Sequence, residues 1–288
     1  MANRQLLDRR LELVGVSKVQ SVRCYICDGL PAHEFKYVAP PDGETKFIHR
    51  ERWYPRSYSY CSRCMHWTSS LINRHYLDYE TEYASSTYGS EIRKQFEKIT
   101  SLPETKSDNQ LRVKWLEQKV SGVQKCSTPM RVLDVGSGLG VFPHLLTQRG
   151  WQVTALEPNR DLCRHLRSLG SFRVWEGKLG SLATTETFEL ITLNKVLEHV
   201  PDPTAMLCQI RKLMSPQGLL YVEVPDGEGA SAESYYREEF FIEHLHVFSR
   251  RSLEKMSEAA SYLAVDCTSV VEPSGKFTIR QLSRRLNE

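Results

Sequence analysis

Residues 130–140 constrain this chain most, because they predict a buried strand that turns tightly into a helix. The apolar strand ends at Asp134, and three glycines follow it: Gly136, Gly138 and Gly140. Glycines in such a turn leave backbone amides open to a ligand at the helix N-terminus. A second apolar strand ends in Glu157, whose carboxylate can accept hydrogen bonds from both hydroxyls of a ribose. The pattern therefore predicts a nucleoside-cofactor site.

The spacing of the three glycines discriminates between nucleoside cofactors. A dinucleotide site needs the pattern Gly-x-Gly-x-x-Gly, which lets the pyrophosphate rest on the helix N-terminus. Here Val141 stands where the last glycine of that pattern is needed. The carboxylate of Asp134 would also repel a pyrophosphate, whereas it would attract an ammonium or a sulfonium. The alternative is that the glycines serve only a tight turn.

The segment Asp-Val-Gly-Ser-Gly-Leu-Gly, which begins at Asp134, resembles motif I of class I S-adenosylmethionine-dependent methyltransferases. The acidic residue at the end of the second strand, Glu157, matches the same family. This resemblance implies that S-adenosyl-L-methionine is the cofactor. The residues it assigns to cofactor binding are Asp134, Gly136, Gly138, Gly140, Glu157 and Pro158.

Strand and helix patterns alternate from residue 130 onward, which is typical of a parallel sheet covered by helices on both faces. The predicted strands are 130–135, 151–156, 172–176, 187–193 and 218–224, with a weaker pair near 263–271 and 275–279. We expect an α/β fold with a doubly wound, mostly parallel, Rossmann-like methyltransferase sheet and a small N-terminal zinc-binding module. Ligands bind such sheets at the carboxyl ends of the strands. Four polar residues lie at or near those ends: Asp134, Glu157, Asn194 and Glu223.

A Glu-His-Val-Pro-Asp-Pro segment begins at Glu198, after the fourth strand of the predicted sheet. It resembles the motif that follows the fourth strand in the same methyltransferase superfamily. The resemblance places Asn194 near the methionine moiety of the cofactor and His199 toward the substrate. The alternative for His199 is a structural histidine that caps its own loop.

Residues 240–249 place Glu243, His244 and His246 within four positions, after the fifth strand of the predicted sheet. Histidine titrates near neutrality, and an adjacent carboxylate can orient it or raise its pKa. We therefore expect His244 or His199 to act as a general base, with Glu243 orienting it. The alternative is a loop that packs on its aromatic residues and leaves its polar groups in solvent.

Two Cys-x-x-Cys pairs predict a structural zinc site, because each pair can offer two thiolates to one face of a tetrahedral ion. The ligands are Cys24, Cys27, Cys61 and Cys64, and histidines 33, 49 and 66 are candidate substitutes for one cysteine. The aromatic residues of this small module are expected to pack around the metal. The alternatives are free thiols or a redox pair.

The composition predicts a soluble enzyme with several segments. They are an N-terminal helix or arm (1–20), the zinc-binding module (21–75), a helical linker (76–125) and the cofactor domain (126–288). A net charge of +3 is too weak to indicate a nucleic acid or a membrane surface as partner. No apolar stretch is long enough for a membrane span, and the N-terminus lacks the apolar core of a signal peptide. We expect a cytoplasmic protein.

The order of these motifs resembles that of bacterial methyltransferases that act on nucleotide-linked sugars. The resemblance implies a nucleotide sugar as acceptor, with acid–base roles for His199, Glu243 and His244 and a linker tyrosine at Tyr79 or Tyr83. Phe241 departs from the C-methylating members, which carry a tyrosine there, so O- or N-methylation stays open. Two alternatives remain. One is a quinone-type small-molecule O-methyltransferase, and the other is an adaptor whose zinc module binds a partner while the methyltransferase fold is vestigial.

Overall fold

The computed structural model describes residues 11–14, 23–44, 56–71, 91–123 and 129–286. The strands in chain order are β1 (Leu11–Val14), β2 (His33–Tyr37), β3 (Arg56–Cys61), β4 (His66–Ser69), β5 (Arg131–Val135), β6 (Gln152–Glu157), β7 (Arg173–Glu176), β8 (Phe188–Asn194), β9 (Met214–Pro225), β10 (His246–Val247), β11 (Tyr262–Val271) and β12 (Phe277–Arg285). The helices are α1 (Ile92–Thr100), α2 (Asp108–Val123), α3 (Val141–Gln148), α4 (Arg160–Leu169), α5 (Pro203–Arg211), α6 (Gly227–Glu233) and α7 (Arg250–Ala259).

The larger sheet has seven strands in the order β11-β12-β9-β8-β5-β6-β7. Strands β5 to β9 are parallel, whereas β12 runs antiparallel to β9 and β11 antiparallel to β12. This arrangement confirms the predicted α/β fold with a mostly parallel, Rossmann-like sheet. The carboxyl ends of β5, β6 and β8 therefore meet at one edge, where the predicted cofactor residues stand.

Successive residues of the central strands point to opposite faces of the sheet, and both faces are buried. One face carries Leu133, Ile191 and Leu220, which pack with Leu207 of α5 and Leu253 of α7. The other face carries Val132, Leu190 and Leu219, which pack with Leu116 of α2 and Phe142 of α3. Continuous apolar runs in the sequence are thus explained by helices on both sides of the sheet.

The smaller sheet is antiparallel, with the order β1-β2-β3-β4-β10. Its first strand, Leu11–Val14, falls where the sequence predicted an N-terminal helix or arm, and it pairs with β2 instead. Its last strand, His246–Val247, comes from the segment after β9 and pairs with β4. The sheet therefore joins residues near the N-terminus to a loop of the larger domain.

The aromatic residues of the smaller sheet do not pack around the cysteines as predicted. Phe35, Tyr37, Tyr58 and Trp67 instead form one apolar cluster with Phe240 from the segment after β9. The reason is the pairing of β10 with β4, which brings that segment onto the face of the sheet. Within the described ranges, no helix is both long and apolar enough to cross a membrane.

Candidate functional site

The glycine turn after β5 has the left-handed backbone that the sequence predicts. The φ angles are +73° at Gly136, +52° at Gly138 and +77° at Gly140. A Cβ at Gly136 would lie 2.8 Å from Val196 Cγ2, and one at Gly140 would lie 2.4 Å from Leu166 Cδ2. The two outer glycines are thus needed for close packing as well as for the turn. The contact at Gly136 also joins this turn to the segment after β8.

Glu157 ends β6 directly beside the glycine turn, as predicted. Its Oε2 accepts a hydrogen bond from Gly138 N at 2.9 Å, and its Oε1 accepts one from Asn159 N at 3.0 Å. Burial raises the pKa of the carboxyl, although these amide hydrogen bonds oppose the shift. Each carboxylate oxygen keeps a further lone pair, so the group can still accept from a ligand's hydroxyls. Pro158 follows it as a half-buried residue in the loop between β6 and α4.

Asp134 lies at the end of β5, almost fully buried, between the strands that carry Glu157 and Asn194. Its Oδ1 accepts a hydrogen bond from Thr192 Oγ1 at 2.6 Å. Burial raises the pKa of Asp134 to about 6, even though the Thr192 hydroxyl favours the ionised form. Asp134 is thus a buried carboxylate whose ionised form a bound cation would stabilise.

Asn194 ends β8, the neighbour of β5 in the sheet. Its Oδ1 is buried and accepts no hydrogen bond from the residues that the structure describes. A buried carbonyl oxygen without a donor is uncommon in a folded protein, and a bound ligand can supply the donor. The role of Asn194 toward the methionine part of the cofactor stays a prediction.

Glu223, also predicted to lie near the ligand edge, is instead enclosed by arginines. Arg112 of α2 donates from Nε to Oε2 at 2.6 Å and from Nη2 to Oε1 at 2.5 Å. Arg280 of β12 donates to the same carboxylate at 3.2 Å, and so does the Tyr221 hydroxyl at 2.6 Å. With its oxygens engaged in this way, Glu223 ties α2, β9 and β12 together rather than presenting a carboxylate to a ligand.

His199 and His244 lie together, with ring centroids 4.9 Å apart. His199 Nδ1 lies 3.0 Å from the Glu243 carbonyl oxygen, and His244 Nδ1 lies 2.9 Å from the Glu239 carbonyl oxygen. Burial lowers the pKa of His199 to about 4 and holds that of His244 well below its ordinary value. Both imidazoles are therefore neutral at physiological pH.

The Glu198 side chain also lies beside these two histidines. One ligand atom from each of Glu198, His199 and His244 lies within 4.8 Å of the others. The backbone carbonyl oxygen of Glu243 orients the His199 ring, and a role for its side chain stays a prediction. A hydrogen bond from Leu245 N to the Glu198 carbonyl at 2.7 Å joins the Glu198–His199 turn to the segment that carries His244. The Glu-His motif already contained Glu198, and its burial is the feature that the sequence did not reveal.

The four predicted zinc ligands come together in the structure. The Sγ atoms of Cys24 and Cys64 are 3.5 Å apart, as are those of Cys27 and Cys61, and all four lie within 4.8 Å of one another. A tetrahedral zinc ion with Zn–S bonds of about 2.3 Å spaces its sulfurs by about 3.8 Å, so the cluster fits that ion. The candidate substitute His66 instead pairs with His246, while His49 and the tyrosines Tyr79 and Tyr83 lie outside the described residues.

Both cysteine turns are anchored to the larger domain close to the histidines. The Tyr25 hydroxyl of the first turn donates to the carboxylate of Asp202, the N-cap of α5. The Cys64 carbonyl of the second turn accepts from Ser249 Oγ, the N-cap of α7, at 2.8 Å. The Tyr58 hydroxyl also donates to the His244 carbonyl at 2.6 Å. The cysteine turns and the smaller sheet therefore support the segments that carry His199 and His244.

Comparison with known proteins gives a consistent picture. A family model described as a methyltransferase domain matches residues 109–265. A ubiquinone biosynthesis O-methyltransferase of Stutzerimonas stutzeri is 30% identical over 120 residues, which are 39% of this chain and 50% of that protein. One from Xanthomonas oryzae pv. oryzae is 34% identical over 99 residues, or 32% of this chain and 41% of the relative. The chain thus spans half or less of the length of these curated relatives.

The fold also matches solved structures. A 1,6-didemethyltoxoflavin-N1-methyltransferase of Burkholderia thailandensis, solved with 1,6-didemethyltoxoflavin and S-adenosylhomocysteine bound, aligns with a TM-score of 0.54 and 18% identity. That alignment covers 85% of this chain and 100% of the other. A putative sarcosine dimethylglycine methyltransferase of Galdieria sulphuraria gives a TM-score of 0.50 with 13% identity, over 62% of this chain and 86% of the other. At these identities the likeness concerns the fold.

Proposed function

Because the chain belongs to the methyltransferase-domain family, we propose that it transfers a methyl group from S-adenosyl-L-methionine to a small polar acceptor. The observation that carries the proposal is the clamp of Glu157 between Gly138 N and Asn159 N at the glycine turn. The same turn contacts Val196, two residues before Glu198 in the Glu198–His199–His244 cluster. The donor site and the acceptor cluster thus lie on connected segments.

We assign three carboxylate or amide groups to the donor. Glu157 would accept hydrogen bonds from the ribose hydroxyls, and Asp134 would balance the positive charge of the cofactor. The buried Asn194 Oδ1 would accept a hydrogen bond from the methionine part. The cofactor supplies an electrophilic methyl group on a sulfonium sulfur, and proper alignment with the acceptor supplies much of the rate enhancement.

We assign the activation of the acceptor to the Glu198–His199–His244 cluster. A lone pair of the acceptor oxygen or nitrogen forms the new bond to the methyl carbon, the carbon–sulfur bond breaks, and its electron pair stays on sulfur. The acceptor must lose a proton for this step to be complete. The neutral imidazoles of His199 and His244, fixed by backbone carbonyls, are the groups we expect to promote that loss.

Two acceptor classes compete. The order of the sequence motifs predicted a nucleotide-linked sugar, whereas the curated relatives are named as ubiquinone biosynthesis O-methyltransferases. These names favour a quinone-type small-molecule O-methyltransferase, which was the alternative considered from the sequence. An assay with labelled S-adenosyl-L-methionine and both acceptor classes decides between them. Methylation of the sugars alone would reverse our preference.

A separate proposal concerns the cysteine cluster, which we assign to a structural zinc ion held by Cys24, Cys27, Cys61 and Cys64. Support comes from the sulfur spacing and from the closure of the cluster, since four protein ligands leave no open position for chemistry. An adaptor function for this module would instead require a surface that binds a partner independently of methyl transfer.

Replacing Glu157 with alanine is expected to weaken binding of S-adenosyl-L-methionine by about 10-fold to 100-fold. The reason is the loss of charge-assisted hydrogen bonds, each contributing about 1.5–3 kcal/mol. Calorimetric titration with S-adenosylmethionine and S-adenosylhomocysteine measures the change. Glu176→Ala is the matched control, because Glu176 ends the neighbouring strand but pairs with Arg167. If the folded wild-type protein binds neither compound, the enzyme proposal fails and the adaptor alternative takes its place.

Affinity for S-adenosyl-L-methionine is expected to fall as the pH drops through about 6. Burial raises the pKa of Asp134 to about 6, so its carboxylate is charged above that pH and neutral below it. A cationic ligand prefers the charged form, and it is therefore bound less tightly in acid. Calorimetry from about pH 5 to about pH 8 tests this, with Asp134→Asn as the variant that should lose the dependence. If Asp134→Asn shows the same pH dependence of S-adenosyl-L-methionine affinity as the wild type, the role of Asp134 is contradicted.

A further inference from the structure

Lys195 directly follows Asn194 at the carboxyl end of β8, in a backbone conformation that lysine rarely adopts. Its φ angle is +58°, which lies in the left-handed region. Its amide donates a hydrogen bond to the Glu223 carbonyl at 2.9 Å, and this contact holds the backbone in place. Residues kept in sparsely populated conformations cluster at functional sites, where the surrounding structure over-determines them. The fold therefore fixes the position from which the Lys195 side chain extends.

The Lys195 side chain lies in a recess of the protein. It is 27% exposed, whereas Thr278 and the Glu223 side chain beside it are fully buried. Its Nζ donates to Thr278 Oγ1 at 2.8 Å and lies 3.9 Å from Glu223 Oε1. An ammonium has three N–H donors, and among the described side chains Thr278 accepts the one hydrogen bond that Lys195 donates. At least one donor thus remains for a ligand at this edge of the sheet.

The charged side chains around Lys195 do not balance one another. Arg112 and Arg280 both pair with Glu223. Arg280 also pairs with Glu272. The two arginines and the two carboxylates cancel in charge, so the Lys195 ammonium is left over. An uncompensated charge in a recess of low dielectric attracts an ion of opposite sign more strongly than a charge on the open surface.

Glu198 does not neutralise this ammonium. Burial raises the pKa of the Glu198 carboxyl to about 8, although Lys195 opposes the shift, so the group is largely uncharged near neutrality. His199 and His244 are uncharged as well, because burial, and to a smaller extent the charge of Lys195, lowers the pKa of both rings. Burial also lowers the pKa of Lys195, while Glu223 favours its charged form. An anion beside Lys195 would therefore balance a positive charge that these residues leave unpaired.

We propose that Lys195 is a further catalytic residue, whose ammonium binds the acceptor oxygen in its anionic form. This inference rests on the methyl transfer proposed above and deepens it. The acceptor hydroxyl loses its proton through the imidazoles to solvent, and the ammonium stabilises the charge left on oxygen. A lone pair of that oxygen forms the bond to the methyl carbon, the carbon–sulfur bond breaks, and its electron pair stays on sulfur. Lys195 keeps its own proton throughout.

The charge of Lys195 also selects among acceptors. A phenol or an enol is acidic enough for a nearby ammonium to hold it as an oxyanion near neutrality, whereas a sugar hydroxyl is a far weaker acid. Lys195 therefore favours an acceptor with an acidic hydroxyl. The methylated product is an uncharged ether, which no longer attracts the ammonium and is released more readily. A nucleotide-linked sugar would instead offer its diphosphate to the same ammonium, and the experiment distinguishes these two sources of negative charge.

Binding of para-nitrophenol to the full-length protein saturated with S-adenosylhomocysteine tests the proposal without methyl transfer. The phenolate form of this probe absorbs visible light and the phenol form does not, so a pH titration reports the pKa of the bound probe. We expect the wild-type protein to lower that pKa by about one unit, because a nearby cation favours the ionised form. Lys195→Arg keeps the charge and should keep most of the shift, whereas Lys195→Met should lose it. Lys212→Met, which changes an exposed lysine at the end of α5, is the matched control.

Transfer of a labelled methyl group to a phenolic acceptor gives a second readout. We expect Lys195→Met to lose about 10-fold or more in rate near neutrality, which corresponds to one unit in the pKa of the bound acceptor. The variant should recover part of this loss at higher pH, where the acceptor ionises without help. Its affinity for S-adenosyl-L-methionine should stay within about 2-fold of the wild type, because the proposed contact is with the acceptor alone.

The same pKa of the bound probe in the wild type and Lys195→Met, or no binding of the probe to the wild type, would overturn the role of Lys195. Displacement of the probe by inorganic pyrophosphate but not by phenol would overturn it too, since the ammonium would then serve a diphosphate. Calorimetry with S-adenosyl-L-methionine on the same samples separates the two proposals. A protein that binds the cofactor and methylates a phenol equally well as Lys195→Met refutes the inference alone, whereas a wild type that does not bind the cofactor refutes the proposed function as well.

Discussion

Replacing Glu223 with alanine is expected to destabilise the folded protein by about 3–5 kcal/mol, because it leaves buried cations without their partner. Arg112 is almost fully buried and makes two hydrogen bonds to this carboxylate. Arg280, also buried, makes a third hydrogen bond, and among the described residues Glu272 is the carboxylate that it keeps when Glu223 is removed. The expected loss of unfolding free energy is therefore larger than that caused by removing a single surface ion pair.

Urea unfolding of the variant and the wild type measures this effect. Glu97→Ala is the control, since the Glu97–Arg93 pair is more than half exposed and should contribute less than about 0.5 kcal/mol. Glu223→Gln keeps the shape of the side chain but not its charge. Its loss of unfolding free energy should lie between those of Glu223→Ala and Glu97→Ala. A loss for Glu223→Ala no larger than that of the control would show that the arginines are solvated in the folded protein.

The pH dependence of this network has a definite sign. Burial by itself raises the pKa of Glu223, but Arg112 and the other nearby cations outweigh it and hold the pKa low. A carboxyl whose pKa is lowered on folding stabilises the protein above the unfolded value, about 4.3 for glutamate. The contribution of Glu223 is thus fully present near neutrality and is lost only in strong acid.

The Glu223 network illustrates what the sequence could not predict. A carboxylate at the end of a parallel strand was expected to face a ligand, and Asp134 and Glu157 do lie at the glycine turn. Glu223 differs because Arg112 and Arg280, far away in the sequence, approach it from α2 and β12. Side-chain pairing between distant elements has no periodic signal in the sequence, so the strand was predictable and the partner was not.

Near the histidines, too, the sequence did not reveal the environment of a glutamate side chain, as Glu198 and Glu243 illustrate. Both glutamates directly precede a histidine, and only the second was predicted to orient one. In a short turn the direction of each side chain depends on the tertiary contacts, which turn the Glu198 carboxylate inward. By contrast, helix α5 was predictable because Asp202 and Pro203 are local start signals, and Asp202 caps the helix as expected.

Replacing Cys61 with serine, or removing the metal with a chelator, is expected to abolish methyl transfer while largely preserving cofactor binding. If zinc links the two cysteine turns, its loss would free Tyr25 and Cys64 from their contacts with Asp202 and Ser249. The smaller sheet also holds the segment that carries His244, through the Tyr58 hydroxyl and the β4–β10 pairing. If the sheet shifted when zinc is lost, His244 would lose its position. The Glu157 clamp lies outside these contacts.

The measurements are zinc content, calorimetry with S-adenosyl-L-methionine, and transfer of a labelled methyl group. We expect Cys61→Ser to bind the cofactor within about 10-fold of the wild type and to lose at least about 100-fold in transfer rate, since small misplacements of catalytic groups are this costly. Cys208→Ser is the matched control, because Cys208 is an exposed cysteine outside the cluster. Equal losses of binding and transfer would mean that the whole fold depends on the metal. Full activity of the zinc-free protein would contradict a structural role for the cysteine cluster, because the histidine segments would then be positioned without it.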